Sequence, residues 1–242
     1  MLKSSSATSA EQSSSTKSFT NTLKTRELAR PVLKEASSNE QGTFWQGATW
    51  IQGCLFQDWS QPKDLPYFAV ATNLYQSGIY CGTCFQITSR DNQKSAIGIV
   101  NSECVDCPAN AIDMSQDLYD KIMGTQPGRS GLSRFDWEVV PCPLPKDSKM
   151  LIIGKDGASK WYLSLQVANT FNTVINVEVE VEEKWYPIYR KRYNYWEFEE
   201  GEIRPSVVEN ANVRVTCSNG RVVTIPEVKI EAHKVVQAEG NC

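Results

Sequence analysis

The sequence has little histidine, little net charge and no long apolar run, and each shortage removes a class of function. His233 is the one histidine in 242 residues. Serine–histidine or cysteine–histidine catalysis, and any histidine-rich metal site, would have to pass through it. It reads as an ordinary surface residue beyond the last strand. Lys and Arg number 25 against 28 Asp and Glu, a formal net charge of −3, which gives no electrostatic footprint for nucleic acid. No apolar run approaches a membrane span. The opening "MLKSSSATSAEQSSSTKSF" has no apolar core, so it does not read as a signal peptide.

What is present is a globular composition, with 40% hydrophobic and 22% charged residues, and an even set of 8 cysteines. Cys81/Cys84 and Cys104/Cys107 are two Cys-x-x-Cys pairs at zinc-ribbon spacing. Cys54 and Cys142 enclose them as thiols that a four-ligand site would not use, and both pairs adjoin strand-like segments. The expectation is therefore a disulfide framework over Cys54, Cys81, Cys84, Cys104, Cys107 and Cys142, with no metal. The pairing stays open, as does the state of Cys217 and Cys242. Such clustering fits an oxidising, extracellular compartment. A zinc-binding interaction module is the rival reading.

Along the chain, residues 1–41 are rich in Ser, Thr, Lys and Glu and read as a disordered tail. From Gly42 to Cys142 short strands dominate, among them "CFQITS", "SAIGIVNS" and "FDWEVVPC". Ser115 is placed to cap a helix over "QDLYDKIM", with Leu118 and Ile122 on one face and Gly124 as the stop. A second helix is expected within "LPYFAVATNLYQSG", ending at Gly78. "PCPLPKDS" is a stiff, proline-rich connection. Everything after it looks like β-structure. "TVINVEVEVEEKW" puts Ile175, Val177, Val179 and Val181 on one face, and "NVRVTCSNGRVVTI" predicts a hairpin with a type I′ turn at Asn219-Gly220.

Two blocks carry a resemblance to a known family. "IVNSECVDCPANAIDMSQDLYDKI" resembles the barrel pattern V-T-D-x-C-P-G-C followed by [HA]-[FLI]-D-[LM]-S and a helix, with Cys104, Cys107, Asp113 and Ser115 at matching positions. "GKDGASKWYLSLQVANT…KWYPIYRKRYNYW" is similar to the second domain of the same family: a lysine, a paired aromatic at a strand start, Q-V-x-N, and a later tyrosine near Y-N. The family is the expansins and their microbial relatives. The resemblance, from Gly42 to Val228, implies a mainly β fold: a six-stranded double-psi β-barrel over 42–142, a linker at 143–148, an immunoglobulin-like β-sandwich carbohydrate-binding domain over 149–230, and a C-terminal tail at 231–242.

The same resemblance implies a secreted, non-hydrolytic protein that binds and loosens cell-wall cellulose or a related glucan. No cofactor, nucleic acid or membrane partner is expected, and a monomer is. Related inverting glycosidases use two carboxylates, one to protonate the leaving oxygen and one to activate water. Asp113 stands at the acid position. The base position falls in Thr43-Phe44-Trp45-Gln46-Gly47, which has no carboxylate, and Asp58 matches no motif. Ser102 stands where the pattern expects aspartate, and Glu103 beside it should point to the opposite face of the strand. General acid–base assistance is worth about 10²–10⁴-fold per group, so an acid without a base argues against hydrolysis. An endoglucanase or lytic transglycosylase on the same barrel is the alternative. Thr43, Trp45, Ser102 and Asp113 are expected to line the barrel groove. Trp161, Tyr162 and Tyr193 are expected to form a sugar-stacking platform helped by Lys155. Trp185 and Trp196 read as packing residues, and Arg190-Lys191-Arg192 as a solvated strand face.

Overall fold

The computed structural model of the chain describes residues 33–125, 131–199 and 209–242. The first 32 residues of the expected tail lie outside them. The N-terminal body is a closed barrel of β1 (Ala36–Trp45), β2 (Tyr67–Ala71), β3 (Cys84–Ser89), β4 (Ser95–Cys104), β5 (Ile112–Ser115) and β6 (Ser133–Val140), in the order β1-β5-β2-β4-β3-β6. β1 is parallel to β5 and β2 to β4; the remaining pairs are antiparallel. β1 begins at Ala36, within the stretch read as tail. Its first residues are largely exposed, so the strand is held by pairing with β6 rather than by burial, which composition does not reveal.

Two short helices accompany the barrel, α1 (Thr72–Tyr75) and α2 (Gln116–Met123). α2 follows the expectation. Ser115 Oγ accepts from Leu118 N, Gly124 ends it with φ 77°, and Leu118, Tyr119, Ile122 and Met123 are buried. It lies directly on the β4 backbone, since a Cβ on Gly98 would sit 2.5 Å from Leu118 Cδ2. The second expected helix shrinks to the four residues of α1. "YFAVA" before it is strand β2, paired on both sides by β4 and β5. A short, fully apolar run does not separate a buried strand from a buried helix by periodicity.

The C-terminal body consists of β7 (Leu151–Gly154), β8 (Ser164–Ala168), β9 (Val174–Val181), β10 (Lys184–Arg190), β11 (Trp196–Glu197), β12 (Asn210–Cys217), β13 (Val222–Lys229) and β14 (Val235–Gln237). Their order is β13-β12-β9-β10-β11-β8-β7-β14. β10 is the corner, pairing β9 through Lys184–Ile188 and β11 through Tyr189 and Arg190. The two halves enclose an aliphatic core that includes Val177, Val179, Val181, Val213, Val215 and Ile225. Ile175 does not join the buried row. A register shift where β9 meets the end of β12 pairs Cys217 with Val174 and turns Val174 inward instead.

The expected type I′ turn is absent. Gly220 has φ 84° whereas Asn219 keeps a negative φ, Gly220 N donates to Cys217 O, and Cys217 N donates to Arg221 O. This is the three-residue hairpin loop in which glycine takes the left-handed position. Residues 231–242 are not a loose tail either, since β14 extends the sheet beside β7 and Cys242 is bonded to Cys217.

All eight cysteines are paired: Cys54–Cys81, Cys84–Cys142, Cys104–Cys107 and Cys217–Cys242. The zinc reading fails on this pairing, because Cys81 and Cys84 each bond outward to an enclosing cysteine. Cys84–Cys142 closes the longest loop, with a sequence separation of 58, and restricts the unfolded chain by about 4 kcal/mol.

His233 is not an ordinary surface residue. Its Nδ1 lies 3.0 Å from Asp58 Oδ2 in the barrel, and its Nε2 3.6 Å from Asp156 Oδ1 on the β7–β8 turn. The hydrogen bond and charge of Asp58, then Asp156, raise its pKa. A histidine raised by folding contributes stability that is complete below its unfolded value of about 6.5 and is lost as pH rises through the folded value. We expect the wild type to lose thermal stability across that window relative to His233→Asn, which suits the local φ of 59°. Melting curves from pH 5 to 9 check this, and parallel curves for the two proteins would refute it.

Candidate functional site

Strand register builds the barrel half of the site. Thr43 on β1 is opposite Asp113 on β5, Asp113 is opposite Ala69 on β2, and Ala69 is opposite Ser102 on β4. Directly opposed residues share a face, so these four form one row across the barrel. Thr43 Oγ1 donates to Asp113 Oδ1 at 2.5 Å. Asp113 is half-buried; burial raises its pKa and the Thr43 hydrogen bond offsets part of the rise. Ala69 contributes only a methyl between Asp113 and Ser102 and is itself buried. Ser102 Oγ accepts from Gly53 N at 3.3 Å.

Trp45, two residues from Thr43 on β1, sits at the end of this row. It meets Tyr67 edge-on at 6.4 Å and helps line a cavity of about 300 Å³ with Gln61, Tyr67, Ser115 and Asp117. Neither Asp58 nor Glu103 is hydrogen-bonded to Asp113. Asp58 is bonded to His233. Glu103 turns away from the row, as strand alternation requires, to accept from Thr72 Oγ1 at 2.8 Å and from Arg192 Nη2 at 2.6 Å.

The sandwich half is built around aromatic residues. Trp161 is 81% exposed. Strict alternation would have buried it beside Leu163 and Leu165, but β8 starts only at Ser164, and an isolated bridge between Ser159 and Tyr162 turns the chain before the strand. Tyr162 and Tyr193 are partly exposed. The Lys155 ammonium stands over the rings of Tyr162, Tyr193 and Tyr195 at 5.7, 5.7 and 5.9 Å. Trp196 is buried, as expected of a packing residue, and Trp185 is stacked under the Arg214 guanidinium at 4.2 Å.

Glu197 is the residue that sequence reasoning missed. Its Oε1 accepts hydroxyls from Ser164, Tyr162 and Tyr193 at 2.7, 2.8 and 2.9 Å. Burial and this carboxylate push the Tyr193 phenol up. Its only sequence signal would have been the pairing of Glu197 with Ser164, and that pairing belongs to the β11–β8 contact between strands distant in the chain.

The two halves meet at a polar seam, where the reading of Arg190 to Arg192 as a solvated face fails at Arg190, while Arg192 stays exposed. The Arg190 guanidinium is enclosed, donating to Gly78 O of the barrel and Val174 O of the sandwich, both at 2.6 Å, and lying 4.5 Å over the Trp196 ring. Burial pulls its pKa down to about 9, which leaves it charged at neutral pH. Lys191 pairs with Glu199, and Arg192 with Glu103. Tyr75 Oη lies 2.7 Å from Arg192 O, and burial together with Glu103 raises its pKa to about 12.

These features define a class: a closed barrel with one half-buried aspartate, fused through a polar seam to a sandwich with an open aromatic platform. No protein-family model matches the chain. It is 27% identical over 180 residues to expansin-like protein 1 of Dictyostelium discoideum, covering 72% of this chain and 59% of that protein. It is 26% identical over 187 residues to expansin-like protein 3 of the same organism, covering 74% and 52%. The chain thus spans between half and two thirds of the length of these curated relatives. A crystal structure of the apo expansin of Clavibacter michiganensis matches with a TM-score of 0.70 at 24% identity, over 83% of this chain and 95% of that one. A point mutant of that expansin, in complex with cellohexaose, matches with a TM-score of 0.71 at 22% identity, over 84% and 96%. The chain is thus similar to expansin-like proteins in sequence and shares the fold of a bacterial expansin, in line with its two sequence blocks.

We expect Arg190→Ala to cost about 2–4 kcal/mol, because it removes the hydrogen bonds to Gly78 O and Val174 O and the stem packed on Trp196. Denaturant unfolding measures the loss, and a change within about 0.5 kcal/mol would show the seam to be dispensable.

Proposed function

We propose that the protein binds a cellulose-like β-glucan outside the cell and loosens wall polymers without cleaving them. The observation that carries this reading is Trp161, left 81% exposed next in the chain to Tyr162, whose hydroxyl shares the Glu197 anchor with that of Tyr193. Burying a large aromatic normally stabilises a fold, and an indole held in solvent next to fixed rings suits a ligand with apolar C–H faces, as sugars have. The solved expansin with cellohexaose supports the choice of glycan. The row Thr43, Asp113, Ala69 and Ser102 supplies a polar groove for the same polymer. Arg192, 64% exposed and bonded to Glu103, joins the two surfaces, since Ser102 precedes Glu103 and Tyr193 follows Arg192.

One observation favours a second reading. Burial raises the Asp113 pKa, as a proton donor requires. A lytic transglycosylase or endoglucanase would use it so. Yet among the described residues no carboxylate is hydrogen-bonded to Asp113 or shifts its titration, and inverting hydrolysis needs a second carboxyl group positioned across the sugar.

Three outcomes are expected. Trp161→Ala with Tyr193→Ala should lose most depletion binding to insoluble cellulose while circular dichroism is unchanged. The wild type should release no reducing sugar from cellulose or mixed-linkage glucan. Clamped wall or paper strips should extend under load when the protein is added. Sugar release abolished by Asp113→Asn would establish the second reading instead.

A further inference from the structure

We propose that Glu197 is the positioning residue of the aromatic platform, holding Tyr162 and Tyr193 so that their ring faces, not their hydroxyls, are offered to a glycan. The proposal rests on the platform reading above and adds a residue and a selectivity to it.

Tyr162 comes from the turn before β8 and Tyr193 from the turn after β10. Neither ring is held by a strand of its own. Glu197 is. It lies on β11 directly opposite Ser164 on β8, so its carboxylate rises from a paired sheet position. One oxygen, Oε1, collects all three hydroxyls within 2.9 Å. Two turns from separate connections are thereby fastened to one rigid point. Fastening matters because rings that are free to rotate must be ordered when a ligand binds, and that ordering subtracts from affinity.

The same bonds decide what the rings recognise. A phenol has one proton to donate, and both phenols spend it on Glu197. The hydroxyls are thus withdrawn from donating to sugar oxygens. Lys155 stands over both rings at 5.7 Å. What these partly exposed rings still offer is aromatic surface. That surface suits a flat, β-linked glucan that displays its C–H faces, and it does not suit glycans read mainly through hydroxyl donors.

The test compares the full-length wild type with Glu197→Ala, Glu197→Gln, Tyr193→Phe, the Glu197→Ala/Tyr193→Phe double variant, and Trp161→Ala. The readouts are depletion binding to microcrystalline cellulose and tyrosinate absorbance during alkaline titration, with circular dichroism as the check on folding. Glu197→Ala is expected to weaken binding about 5-fold, the scale of one lost buried hydrogen bond, and to bring a phenol ionisation down to lower pH. Glu197→Gln, whose amide oxygen still accepts, should recover part of the binding. Tyr193→Phe should weaken binding in the wild type and add little once Glu197 is alanine. Wild-type binding that Trp161→Ala abolishes but Glu197→Ala leaves intact overturns the positioning role alone. So does Tyr193→Phe costing as much in the alanine background as in the wild type. A wild type that does not bind cellulose, or binding indifferent to Trp161→Ala, overturns the platform reading and this inference with it.

Discussion

The arrangement of this protein depends on one cation drawn into the seam between its two bodies. Arg190 leaves strand β10 and enters the seam, where it binds a carbonyl from each body and lies on the Trp196 ring. A guanidinium taken out of water loses solvation worth several kcal/mol, and it remains charged here because oxygen acceptors and an aromatic face replace that water. Such bonds are directional. Gly78 and Val174 can meet one guanidinium at 2.6 Å only over a narrow range of orientations between barrel and sandwich. A purely apolar seam of similar size would tolerate sliding.

Other polar contacts reinforce the same choice. Gln166 and Asn194 of the sandwich donate to Cys54 O of the barrel, and Thr83 faces Thr173 at 3.0 Å. At the seam's margin, His233 meets Asp58, and Arg192 meets Glu103. The disulfides work within each body rather than across the seam, fixing loops around Cys54, Cys84 and Cys107 and the chain end at Cys242. With both bodies held, the row through Asp113 and the platform at Trp161 keep a fixed relation. That relation is what a long, stiff polymer would encounter. It also explains why Glu103 is no substitute for a catalytic base: the seam has already taken it.

Much of the barrel was legible. Asp113, Ser115 and α2 follow from a short motif whose cap, apolar face and glycine stop are all local, so sequence spacing translates directly into geometry. The inward row of β9 was readable for the same reason, apart from Ile175, where a bulge set by β12 reversed the alternation. The helix expected within "LPYFAVATNLYQSG" is present only as α1, and the strand in "YFAVA" was not read because its two partners, β4 and β5, come later in the chain. Arg190 looked solvated because three consecutive residues, two arginines and a lysine, usually are; that one of them faces an inter-body seam is invisible without the other body.

The sequence by itself determined the elements whose causes are local: strand alternation, the capped helix and the cysteine set. Only the tertiary structure decided which cysteines bond, that His233 and Arg190 join the two bodies, and that Glu197 gathers three hydroxyls. The physical reason is the same in each case. Apart from Cys104–Cys107 and Tyr193–Glu197, these interactions act between groups 16 to 175 residues apart, and hydrogen bonds and disulfides depend on distances of a few ångströms that residue spacing along the chain does not encode.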